Sequence, residues 1–158
     1  MSGGRKMKII KWISVGALFI GFQAMAADCP DFNGRYFYSD ENVYIGIDIA
    51  QTACEKMTEV HDIDGSFTAT YEHAFDGVKH LVEDTGDFQA YETAKMEQDR
   101  MTILEERHGT SEVTGEPWTH FLTIEMMFSE DGMLVIKREN RDEDGRLIDS
   151  RKSEYKRK

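Results

Sequence analysis

Apolar residues in this chain recur at every second position rather than every third or fourth. In "YIGIDIAQ", Ile45, Ile47 and Ile49 fall on one side of an extended backbone. In "FTATYEHAF", Phe67, Ala69, Tyr71 and Phe75 do so, and in "WTHFLTIEMMF", Trp118, Leu122, Ile124, Met126 and Phe128. The intervening positions carry Thr, Glu, Gln and Lys. Successive side chains of a strand point to opposite faces, so this alternation predicts strands with one dry and one wet side.

The strands are separated by turn chemistry. Asp-Gly occurs at 64–65, 76–77, 131–132 and 144–145, and Asn33-Gly34, Gly86-Asp87 and His108-Gly109 add further turn points. Glycine supplies the positive φ of a tight hairpin turn, which makes Asp-Gly between alternating segments a strong hairpin signal. The stretch "YETAKMEQDRMTILEERHG" is rich in helix formers, yet Ala94, Met96, Met101 and Ile103 make no helical stripe. It reads as two strands joined near Gln98-Asp99, with a helix as the alternative. The expected fold is therefore all-β, an antiparallel up-and-down meander of roughly eight to ten strands closed into a barrel. A β-sandwich is the alternative.

The first 26 residues break this pattern. Arg5, Lys6, Lys8 and Lys11 precede the apolar run "WISVGALFIGF", and Ala24 and Ala26 occupy the −3 and −1 positions of a small-residue cut. These features predict a signal peptide at 1–26, export to a periplasmic or extracellular space, and a single barrel domain at 27–158. The run is too short for a membrane anchor, and no later segment resembles a span. Asp28 stands where a lipoprotein signal needs a small residue before Cys29, which argues against lipidation.

All 30 acidic residues lie beyond Ala26 but only 15 of the 19 basic ones, a net charge of −15 for residues 27–158. Such a body repels nucleic acid and anionic membranes; it suits a cationic protein partner, or simply stays soluble. The basic residues concentrate after residue 136. Two cysteines in an exported chain predict a Cys29–Cys54 disulfide, worth roughly 3 kcal/mol by loop entropy. Their spacing is not C-x-x-C, which argues against a redox motif.

Catalytic and cofactor templates are missing: there is no G-x-S-x-G, H-E-x-x-H, Walker loop or dinucleotide fingerprint, so a non-enzymatic protein without a cofactor is expected. "NRDEDG" at 140–145 begins like a calcium loop, but Arg151 stands where the bidentate Glu belongs, and an ordinary hairpin tip is the better reading. A two-residue Asp76-Gly77 turn would set His73 opposite His80 with Cβ atoms about 5 Å apart. Facing imidazoles there would be two metal ligands, with His61 and Asp84 the nearest further donors, or simply neutral strand histidines.

On the expected inner face, Ala69, Ala90 and Ala94 alternate with Phe67, Tyr71 and Phe88. Small residues facing the axis of a barrel this size either leave room for one small ligand or accommodate bulky neighbours that fill the lumen. The ligand reading places Tyr36, Tyr71, Met96, Trp118 and Met126 in apolar walls, with His120 and Glu92 on the same inner faces, available to a polar head.

Finally, "FNGRYFY" followed by a meander resembles the opening of lipocalin-like barrels, with Gly34-Arg35-Tyr36 in place of their G-x-W motif. The resemblance implies that Tyr36 plugs one end of the barrel, that Arg151 or Arg157 packs over it, and that a small apolar molecule is bound.

Overall fold

The computed structural model describes residues 29–39 and 43–158. The basic and apolar opening segment and the cut after Ala26 lie outside the described residues. Ten strands follow one another: β1 (Gly34–Ser39), β2 (Tyr44–Thr52), β3 (Lys56–Ile63), β4 (Phe67–Ala74), β5 (His80–Asp84), β6 (Phe88–Met96), β7 (Arg100–Thr110), β8 (Pro117–Phe128), β9 (Leu134–Asp142) and β10 (Leu147–Arg157). Every ladder is antiparallel, in the order β4-β3-β2-β1-β10-β9-β8-β7-β6-β5. The chain is thus an all-β meander whose first and last strands pair, and the sheet curls into a barrel. The segment at 91–109 forms β6 and β7, linked at 97–99 as its alternation predicts.

Three of the four Asp-Gly turn readings hold and one does not, and Gly86-Asp87 turns between β5 and β6 as expected. Asp64 and Gly65 both take positive φ, 52° and 65°, in a tight turn closed by the Ser66 N–H on the Ile63 carbonyl at 3.0 Å, within a three-residue connection between Ile63 and Phe67. Asp131-Gly132 and Asp144-Gly145 also sit at hairpin tips; the Asp142 carboxylate accepts from the backbone N–H of Asp144 and Arg146, so "NRDEDG" is an ordinary tip.

Asp76-Gly77, however, does not join a hairpin. Asp76 accepts from the Val78 N–H, and the Gly77 N–H is donated to the Ala94 carbonyl of β6 at 3.2 Å. The connector is drawn across to β6, so β4 and β5 share no ladder and remain the two ends of the sheet. The expected complete closure is corrected to a barrel with one seam. The expected His73–His80 pairing is corrected with it: His73 lies opposite Met57 of β3, and His80 opposite Glu92 of β6.

Gly109 is no turn either; it lies within β7 opposite Trp118. A Cβ there would fall 2.3 Å from the indole, so the glycine lets the ring lie flat on the strand.

The core fills one end of the barrel. Phe32, Tyr36, Ile47, Met57, Met101, Ile103, Met126 and Leu134 are fully buried. Tyr36 donates its hydroxyl to the Phe32 carbonyl at 3.0 Å, and Phe32 stacks on Phe128 with centroids 5.1 Å apart. Arg157, not Arg151, lies over the Tyr36 ring, 6.0 Å from its centroid, and donates to the Asn33 carbonyl at 2.6 Å. Gly34, at φ 145°, leaves room for that guanidinium, since a Cβ would meet its Nε at 3.0 Å. The Cys29–Cys54 disulfide ties the segment leading into this plug to the β2–β3 turn.

Candidate ligand cavity in the barrel lumen

The inward faces change character along the barrel. On β7 they run Met101, Ile103, Glu105, Arg107; on β9, Leu134, Ile136, Arg138, Asn140; on β3, Met57, Glu59, His61. Alternation keeps all of them on one face, so each strand delivers apolar side chains to the plugged end and polar ones beyond it.

Where the two regimes meet lies a cavity of about 290 Å³. Ile103, Leu122, Ile124, Met126 and Ile136 form its apolar wall, and Glu59, His61, Tyr71, His73, Glu105, Arg107 and Arg138 its polar one. An apolar pocket with a few converging polar groups is the usual form of a small-molecule site.

The polar wall is mostly self-paired. Arg107 holds Glu105, with Nε 2.8 Å from its carboxylate. His73 is the centre of a second group: Nδ1 donates to Glu92 at 2.9 Å, and Nε2 lies 3.4 Å from Glu59, which also accepts from His61 at 2.7 Å. His73, Glu59 and Glu92 are all buried. Burial alone would lower the His73 pKa, but the bonds to Glu59 and Glu92 outweigh it and raise it to about 9. Burial likewise opposes ionisation of Glu59, and its hydrogen bonds from His61 and His73 hold it well below the ordinary carboxylate range.

Arg138 is different. It lines the cavity with no ion pair or hydrogen bond among the described residues. Its directly opposite neighbour on β10 is Arg151, likewise unpaired there. Like charges facing each other across a ladder repel, and an anion between them would remove the repulsion.

Of the residues expected to bind a ligand, Tyr71 and Met126 line this cavity. Tyr36 is in the plug, and Met96 packs against the buried core. Trp118 and His120 lie against each other, centroids 4.5 Å apart and planes tilted by 35°, at the other end of β8 from Phe128. Ten residues of strand separate Trp118 from Phe128, about 33 Å, so the expected residues are spread along the barrel rather than gathered around one point. Sequence reasoning missed Glu59, Glu105, Arg107 and Arg138 because it assigned charged residues to the outer face. The signal was present in β3, where Met57, Glu59 and His61 share a face that turns polar partway along.

No family model matches the chain, and no curated protein matches it. Two solved structures do, both of single-residue mutants of the fluorescent protein UnaG and each 11% identical. The alignments cover 80% of this chain and 96% and 95% of those chains, with TM-scores of 0.54 and 0.51. The fold is a calycin-type barrel. At that identity the likeness concerns the backbone; in this calycin-type barrel the seam, the plug and the cavity lining are those of its own side chains.

Proposed function

We propose that this protein is exported and binds one small, partly apolar molecule bearing an anionic group in its lumen, as a lipocalin-like binding protein rather than an enzyme. The observation that carries the reading is Arg138: a cavity-lining guanidinium without a counter-ion among the described residues, facing a second arginine, next to an apolar wall. The Oδ1 of Asn140, two residues along the same face of β9, is buried without a hydrogen-bond partner among the described residues. The basic and apolar opening segment and the disulfide support export.

Native mass spectrometry of the protein purified from its own host tests this reading. The expected result is a chain beginning at Ala27 that carries a single acidic small molecule, released on denaturation. A bare chain that also fails to enhance the fluorescence of anilinonaphthalene sulfonate, an apolar anion, would overturn it.

A further inference from the structure

We propose that the seam between β4 and β5 is the way into the lumen, and that His73 is the latch that holds it shut. The inference rests on the lumen reading for its purpose, but the geometry stands on its own. β4 and β5 are the two unpaired edges of the sheet, so this is the one line along which the wall can part without breaking a backbone ladder among the described residues.

A second cavity, of about 550 Å³, runs along the seam between β4 on one side and β5 and β6 on the other. It shares Tyr71, His73, Glu105 and Arg107 with the lumen cavity, so the two spaces meet at His73. The side chain of His73 starts on β4, takes Glu59 of β3 behind it, and reaches across the seam to Glu92 of β6. It is a charged cross-link from the edge strand β4 to β6, the neighbour of the other edge strand, β5.

The foot of the seam is pinned separately. Gly77 bonds Ala94 through the backbone, and Lys79 bonds Glu106 of β7 on the outside at 2.6 Å. Loss of the His73–Glu92 bond therefore frees the upper part of β4 while its foot stays attached. The charged form of His73 makes both bonds. The ionisable groups around it are Glu59 and His61 on β3, Glu92 on β6, and Glu105 with Arg107 on β7. Deprotonation of His73 leaves only one donor for two carboxylates, so alkaline pH weakens the latch.

Met126, 1% exposed and lining the lumen cavity, reports entry directly. Glu92→Gln removes the cross-seam charge while keeping His73 and Glu59. Peroxide oxidation of Met126, located by peptide mass spectrometry, is expected to accelerate at least fivefold in this variant, with Met101 unchanged. Met101 is fully buried but outside the cavity lining and reports global unfolding. The association and dissociation rates of anilinonaphthalene sulfonate are expected to rise together.

Unchanged Met126 oxidation, or equal acceleration at Met101, would overturn the latch. Faster Met126 oxidation without probe binding would support the latch and count against the ligand reading. Probe binding with unchanged rates and unchanged oxidation would do the reverse. If Glu92→Gln does not fold, the parent protein at pH 10 weakens the same cross-link from the other side, by removing the His73 proton, and the ratio of Met126 to Met101 oxidation is compared with that at pH 7.

Discussion

Replacing Arg138 by Met separates a binding role from a structural one, because the two predict opposite signs. The guanidinium has no partner among the described residues, so its removal breaks no ion pair or hydrogen bond there. It does remove a like-charge neighbour of Arg151, a repulsion worth about 0.2–1 kcal/mol, toward the low end here because Arg151 is exposed to solvent. Methionine keeps the length of the apolar stem and sits beside Ile124 and Ile136. Stability should therefore hold or rise slightly. With a urea slope of about 2 kcal/mol per molar for a domain of this size, the midpoint moves upward by no more than about 0.5 M. Anion binding should weaken: a charge-assisted hydrogen bond is worth about 1.5–3 kcal/mol, which is roughly a 10- to 100-fold rise in Kd. Fluorescence titration with anilinonaphthalene sulfonate reads the second quantity and urea denaturation the first. A variant that loses about 1 M or more in midpoint while binding the probe as tightly as the parent would refute the reasoning, since Arg138 would then be a structural residue and the anion site elsewhere.

Other consequences follow from the same contacts. The His73 pKa is raised from its ordinary value to about 9, so its contribution is complete below about pH 6.5 and is lost as pH rises through 9, a decline of about 3 kcal/mol. Glu59 acts in the opposite sense, its contribution present above the ordinary carboxylate range and lost in strong acid; urea midpoints measured from pH 6 to 10 should fall for the parent and fall less steeply for Glu92→Gln. Replacing Cys29 and Cys54 together by Ser should cost about 3 kcal/mol, read as a lower urea midpoint, with β1 and β2 losing hydrogen-exchange protection first. Gly109→Ala puts a Cβ into the indole of Trp118, forcing the ring away; a loss of about 1–3 kcal/mol and a shifted tryptophan emission are expected, and unchanged emission would show that the ring does not lie on that strand.

Features that depend on neighbours along the chain were legible in the residues alone. The period of two in "YIGIDIAQ" and "WTHFLTIEMMF" specified strands and their buried faces, because alternation is a property of extended backbone. The Asp-Gly pairs at 64–65, 131–132 and 144–145 specified hairpins, because positive φ is a local demand. The disulfide was legible because the chain holds only two cysteines. Whatever depends on how the sheet curls was settled by packing between distant strands. Asp76-Gly77 carries the same hairpin signal as the others, yet the Ala94 carbonyl captures Gly77 and turns the connector into a seam. Arg157 meets the Asn33 carbonyl across 124 residues, a contact that exists only because β1 and β10 pair.

The cavity depends on curvature most of all. Glu59, Glu105, Arg107 and Arg138 would be ordinary wet-face residues of a flat sheet. The barrel bends their faces inward, where Glu59 finds His73, Glu105 finds Arg107, and Arg138 stands without a counter-ion among the described residues. A polar side chain at an alternating position has the same local pattern whether its face meets water or a lumen. Only the closure of β1 on β10, and the approach of β4 to β6, tells the two apart.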